Sequence, residues 1–381
     1  MLFLSDLRLW LKSFYNGHFT IASRMFLIGI ALIYLIAFIS LWLQIDGLFG
    51  SGGIMPIERF FDRISNNDML KSYILRYPSL LWLGYILKCG DIFLHILCAI
   101  GSLLSISALF NFWRGYSLLL CWFLYLSLVV LGSPFLSFQW DNLLLESGFL
   151  AIWLAGFKRW DHRPSRFILL TVYLLLFRLM FFSGYVKLAS NDPLWWNLTA
   201  LSIHFETQPL PHAIGWYLHQ IPPMLLKIAT AIMFFIELVV PFFIFMGTKL
   251  RHSAGVMFIT LMLAIILSGN YTYFNFLTIA ICLSLFNNEF YKRWLSILPA
   301  KKLIKEKLFP LSTTWSIINR FIFLFIAIFA LITECQRWLP VTQYPVISSI
   351  NGLVRPFRSV NTYGLFADMT TSRPELIFEI S

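Results

Sequence analysis

The side chains of this sequence that could do proton chemistry are few, and they lie in or beside apolar runs. Four stand out: Asp141 and Glu146 in "FLSFQWDNLLLESGF", Lys187 in "FFSGYVKLASND" and His204 in "LSIHFETQ". An amine partly withdrawn from water can serve as a base. Carboxylates beside it could share or relay the proton, and an imidazole titrates near neutrality. Asp141 is placed to cap a helix N-terminus and to gain from its dipole. Glu146 lies about one and a half turns deeper, where capping does not explain it, and Lys187 is one option for its partner. The competing reading of Lys187 is an interfacial lysine that snorkels to the headgroups. Against that, the stretches 133–141, 189–222 and 270–273 on the same side of a bilayer carry no Lys.

Two further pairs arise from depth and spacing. Arg178 and Glu237 lie near the middle of successive apolar runs, so antiparallel spans would bring them to one level, and a buried Arg178–Glu237 ion pair that fixes helix register is expected. Lys187 follows Arg178 by nine residues, which at about 100° per residue points the two to opposite faces. Asp91 and His95, spaced i, i+4, form a second polar cluster that reads equally as a site or as polar packing. The loop "HFETQPLPHAIGWYLHQ" carries Glu206, Gln208, His212, Trp216 and His219, and its prolines and aromatics suit a lid or docking surface. The histidine spacing matches no zinc template, so no metal is expected, and no cofactor is named by any motif. Five cysteines without a C-x-x-C spacing do not make a thiol–disulfide catalyst.

The elements that must position these groups are membrane spans. The chain is 59% hydrophobic and only 12% charged, about half the charge of a soluble domain. Nine runs are long or apolar enough to cross a bilayer: 25–44, 80–110, 116–132, 142–157, 166–188, 223–247, 253–269, 273–288 and 319–333. The second is interrupted by "KCGD", so 79–87 reads as an interfacial half-helix leading into 91–110. The stretch 45–79 contains a short amphipathic helix, and "DPLWWNLTAL" an interfacial helix with a Trp anchor. Basic stretches at 1–24, 111–115, 158–166, 248–252 and 289–320 alternate with 133–141, 189–222 and 270–273, which have no Lys or Arg. That places the N-terminus in the cytoplasm and the C-terminus outside. The net charge of +11 belongs to these loops, and nucleic acid is not expected as a partner. The expected architecture is an all-α polytopic membrane bundle over residues 1–339, followed by a short β-like outside tail at 340–381 whose "PELIFEI" reads as a strand.

Three long segments in order, "FLSFQWDNLLLESGFLAIW" (135–153), "FRLMFFSGYVKLASNDPLWWNLTALSIHFETQPLPHAIGWYLHQIP" (177–222) and "VNTYGLFADMTTSRPELIFE" (360–379), resemble the lipase maturation factor family. The resemblance implies a membrane protein that assists folding or maturation of exported proteins such as lipases, with those clients and the lipid bilayer as partners. Members usually continue past the "TTSRPE" segment into a β-rich outside domain. The tail here then reads as its stub, with the rest missing or encoded separately. A shorter piece, "FFSGYVKLASNDPLWW" (181–196), is similar to the vitamin K-dependent carboxylase group, where the matching lysine is a base. That similarity implies the alternative of a membrane enzyme acting on a quinone-like or lipid substrate, with Lys187 as base and Asp141, Glu146 and His204 near it. The short loops favour a bacterial inner membrane. In a eukaryote the compartment would be the endoplasmic reticulum, where Asn197-Leu-Thr and Asn270-Tyr-Thr are glycosylation triplets.

Overall fold

The computed structural model describes residues 17–65, 76–157, 163–210, 212–295, 310–336 and 345–374, together with residues 14, 73 and 74. It is helical throughout, with no strand among the described residues. In chain order the helices are α1 (Thr20–Trp42), α2 (Ile45–Phe49), α3 (Ile57–Ser65), α4 (Leu81–Ile86), α5 (Gly90–Leu109), α6 (Arg114–Leu131), α7 (Gln139–Ala155), α8 (Arg166–Ala189), α9 (Pro193–Trp196), α10 (Ala200–Thr207) and α11 (Ala213–His219). There follow α12 (Pro223–Phe243), α13 (Thr248–Ser268), α14 (Phe274–Cys282, extended by a 3-10 turn), α15 (Asn288–Leu295), α16 (Thr313–Cys335) and α17 (Pro345–Val354).

Seven of these, α1, α5, α6, α8, α12, α13 and α16, are long and apolar enough to cross a bilayer. A polytopic membrane protein is therefore the class, with fewer full-length spans than the nine runs suggested. Two runs form shorter helices: α7 has 17 residues and begins with polar ones, and α14 with its 3-10 turn ends at Leu285. The chain does break at Lys88 and Cys89, where Lys88 takes a positive φ, so α4 and α5 are separate helices. Among its described residues the tail has no strand. Residues 345–354 form α17, a 3-10 turn follows at Arg355–Phe357, and 358–374 run without regular structure. The apolar "VISSINGLV" finds no second strand among the described residues, and a lone strand is unstable, so a helix satisfies its backbone locally. Most of "PELIFEI", and basic residues such as Lys158, Arg159, Lys301 and Lys305, lie outside the described residues.

The chain divides into two compact units. One comprises 17–174 and 286–362, and the other 175–285 and 363–381 with the N-terminal 16 residues. In the first, α1, α5, α6 and α7 pack in a closed ring of neighbours. Its centre is aromatic: Tyr34 stacks on Phe38, and both meet Tyr125 edge-on. Glycines permit this approach. A Cβ on Gly148 would fall 2.0 Å from the Tyr34 hydroxyl, and one on Gly101 would fall 2.5 Å from the Phe38 ring. Small residues at helix contacts are the usual device where lipid supplies no hydrophobic drive between helices.

In the second unit, the C-terminal part of α8 and the helices α9 to α14 form the scaffold. Phe177 and Phe181 of α8 pack edge-on to Phe242 of α12. Helix α12 is not regular, since Phe235–Val239 form a π turn in which Val240 donates to the Phe235 carbonyl. Pro241 explains it. Lacking an N–H, it cannot serve the Glu237 carbonyl four residues earlier, and the helix widens just before it.

Candidate functional site

Lys187 and Glu237 form the centre of the second unit. Lys187 lies in the last turn of α8 and Glu237 in the π turn of α12. The Lys187 Nζ donates to Glu237 Oε2 at 2.6 Å, to Glu237 Oε1 at 2.9 Å and to the Ser183 carbonyl at 3.2 Å. All three ammonium protons are thereby used. Both side chains are buried, with 4% and 9% of their surface exposed. Gly184 makes the approach possible, because a Cβ there would meet the Glu237 Cβ at 2.8 Å. The Trp195 ring lies 5.4 Å from the ammonium, a distance suited to cation–π attraction.

The buried pair is therefore Lys187–Glu237, which corrects the expected Arg178–Glu237 pair. Arg178 lies with its guanidinium 5.6 Å from the centre of the Tyr363 ring. The same geometry corrects the proposed Lys187–Glu146 partnership, since each has another partner in its own unit. The equal-depth argument is what fails: Lys187 lies nine residues beyond Arg178 on the same helix, a rise of about 13 Å, so Glu237 stands level with the last turn of α8 and not with Arg178. The π turn adds a residue to the helical repeat of α12, so a count of 100° per residue loses phase there.

Outside the pair, the polypeptide 192–208 and the tail 363–374 lock together. Asp192 caps α9 through the Leu194 N–H and also accepts the Met369 N–H, both at Oδ atoms within 2.9 Å. The Trp195 Nε1 donates to the Phe366 carbonyl, while its ring packs with Ala200 and Phe234. Of the two tryptophans of this segment, Trp195 thus faces inward, and Trp196 is the exposed one. His204 Nε2 is 2.9 Å from the Tyr271 hydroxyl, the two rings stack, and Phe366 stands edge-on to both. Burial, helped by the Lys187 charge, pushes His204 down to about 4, and burial pushes Tyr271 up to about 12. Both are neutral at pH 7, so the contact is a neutral hydrogen bond. Gln208 is buried. Its Nε2 donates to the Ser268 carbonyl, and its backbone carbonyl accepts from Arg373. Glu206 and His219 approach at 3.7 Å, His212 is the N-cap residue of α11, and Trp216 is exposed.

The first unit holds the other two proton-chemistry candidates. Asp141 is the third residue of α7, not its N-cap, which is Phe138. Its Oδ2 accepts the Phe138 N–H at 3.2 Å, the return half of a capping box, and its Oδ1 accepts the Tyr125 hydroxyl at 2.6 Å. Glu146 is fully buried, and its Oε2 accepts the backbone N–H of Asn361 at 2.8 Å and the Asn361 side chain at 3.1 Å. Asn361 also donates to the carbonyls of Asn142 and Arg358. The deep carboxylate is thus a socket for the tail, 215 residues away in sequence, and no sequence signal pointed to Asn361.

Asp91 and His95 do not bind each other. Asp91 accepts the N–H and hydroxyl of Ser51, and His95 lies between Trp42 Nε1, at 2.8 Å from its Nδ1, and Asp46, at 2.9 Å from its Nε2. An indole N–H only donates, so Nδ1 is the acceptor and Nε2 carries the proton toward Asp46. Together these contacts pin the chain around α2 to the start of α5. Among the described residues no group of three His, Cys, Asp or Glu side chains is placed to hold a metal ion.

Residues 21–293 match the model of the lipase maturation factor transmembrane domain. The chain belongs to the lipase maturation factor family. Lipase maturation factor 2 of Xenopus laevis is 42% identical over 287 residues, covering 72% of this chain and 40% of the relative. The Gallus gallus protein of that name is 41% identical over 282 residues, 71% of this chain and 39% of its own length. Lipase maturation factor 1 of Mus musculus is 29% identical over 394 residues, 96% of this chain and 66% of the relative. The chain thus spans about two fifths of the length of the factor 2 relatives it matches. No solved structure matches it. Within the family-matched region lie the Lys187–Glu237 pair, the His204–Tyr271 pair and the Glu146 socket, whereas Asn361, which fills the socket, lies beyond residue 293.

Proposed function

We propose that this chain is the membrane part of a maturation factor that helps exported proteins, lipases in the first place, to reach their folded form at the non-cytoplasmic face. The match of 21–293 to the lipase maturation factor transmembrane domain carries this reading. The geometry supports it from another side. Four of the buried ionisable groups have internal partners: Lys187 and Glu237 have each other, Asp141 has Tyr125, and Glu146 has Asn361. Such groups brace a scaffold. The enzyme alternative draws no comparable support, because a lysine that donates all three protons offers no lone pair to a substrate. We place the protein in a bacterial inner membrane with its N-terminus cytoplasmic. If the host is eukaryotic, the compartment is the endoplasmic reticulum and the exposed Asn197 and Asn270 carry glycans removable by endoglycosidase. The deciding experiment deletes the gene in its host and measures secreted lipase protein and activity. A several-fold fall, restored by the wild-type chain, is expected. Unchanged secretion and specific activity would reject the proposal.

A further inference from the structure

From Thr207 to Leu226 the sequence "TQPLPHAIGWYLHQIPPMLL" contains no Asp, Glu, Lys or Arg. A connection of that length standing in water would ordinarily carry charge. Its described side chains do not hide their apolar surface either. Trp216 is 61% exposed and Tyr217 68%, and Leu210 and Ile214 are exposed beside them. The inward side of α11 is Gly215, which faces Gln208 and the Ser268 carbonyl and has no room for a side chain. The short helix therefore turns its one glycine to the protein and its aromatic residues away from it.

What lies on that outward face follows from continuity. Helix α12 begins four residues after α11 ends, a reach of about 14 Å at most. Met224, Leu225, Ile228, Ile232, Phe235 and Val239 form an exposed apolar stripe along α12, the face a span gives to lipid. Lys227, exposed in the first turn of that stripe, has a stem and charge suited to snorkelling and so marks the headgroup level. Trp and Tyr are the residues that favour that level. We infer that residues 212–222, led by Trp216 and Tyr217 of α11, lie in the bilayer surface with phospholipid as their contact, and are not a lid standing in water.

Nitroxide accessibility of the full-length chain in phosphatidylcholine nanodiscs tests this. Cys98, Cys121 and Cys282 are buried and can stay, while the half-buried Cys89 and Cys335 are changed to Ser. Labels are then placed singly by Trp216→Cys and Tyr217→Cys, with Glu206→Cys and Ile228→Cys as references for water and lipid. Ile214→Cys serves if either aromatic variant does not fold. The ratio of oxygen to nickel-chelate accessibility at 216 and 217 is expected to exceed that at 206 several-fold and to approach that at 228. A ratio equal to that at 206 would overturn the inference, because the segment would stand in water. Exclusion of both reagents would also overturn it, because a second copy or another protein would then cover the face.

Discussion

Removing one partner of the Lys187–Glu237 pair, and then both, gives the sharpest test of what this centre does. Lys187→Met keeps the length of the stem and deletes the charge. Glu237 then loses two charge-assisted hydrogen bonds, each worth about 1.5–3 kcal/mol, in a site where 9% of its surface is exposed. Glu237→Leu leaves the ammonium with the Ser183 carbonyl and the Trp195 ring. Each single change should cost about 3–5 kcal/mol, the usual penalty for an uncompensated buried charge. The double variant replaces the pair with two apolar side chains of similar volume and should lie within about 1–2 kcal/mol of the wild type. Reversible unfolding of the full chain in bicelles, read by steric trapping, gives all four corners of the cycle. A coupling energy of about 3 kcal/mol or more is expected. Ordinary interhelical polar contacts in membranes average about 0.6 kcal/mol in such cycles, with a maximum near 1.7. A coupling below about 1 kcal/mol would therefore refute the assignment of this pair as a buried ionic brace.

Other predictions follow from single contacts. Gly148→Ala places a methyl 2.0 Å from the Tyr34 hydroxyl and should destabilise the first unit by about 1–3 kcal/mol, measured by thermal unfolding in detergent, whereas Gly247→Ala, with open space around it, should be close to neutral. Glu146→Ala removes the oxygen that accepts the Asn361 backbone N–H and one of its side-chain bonds and should expose residues 358–362 to limited proteolysis; an unchanged cleavage pattern would rule out the socket. His204 has an ordinary value near 6.5 and a folded value of about 4. Its contribution is therefore intact above pH 6.5 and is lost as the pH falls toward 4, because the unfolded chain binds the proton first. The loss is at most about 3 kcal/mol, less because the ring is only half-buried. His204→Phe should flatten that part of the stability profile between pH 7 and 4.5, and superimposable profiles would show that the histidine does not titrate as described.

How the site was assembled explains which of its parts could be read in advance. Asp141, Glu146, Lys187 and Glu237 were conspicuous because charge is scarce in apolar runs, and burial of all four agrees with that signal. Their partners were not conspicuous. Tyr125 is one tyrosine among fifteen, and Asn361 lies in a tail whose composition suggested strands. The donors to Glu146 come from a residue 215 positions away, and no local pattern encodes such a contact.

By itself the sequence determined the class of the molecule, because apolar length and loop charge act locally: a run of about 20 apolar residues must be helical in lipid whatever its neighbours. It also determined the family, through long ordered segments. Tertiary structure decided who pairs with whom. Lys187 and not Arg178 reaches Glu237 because Gly184 lets the two helices touch and because Pro241 forces the π turn that carries the carboxylate. The length of an apolar run is a one-dimensional quantity that a sequence supplies, whereas the level at which two runs meet is not. The direction a side chain takes around its helix, once the helix departs from 3.6 residues per turn, is supplied only by the packed fold.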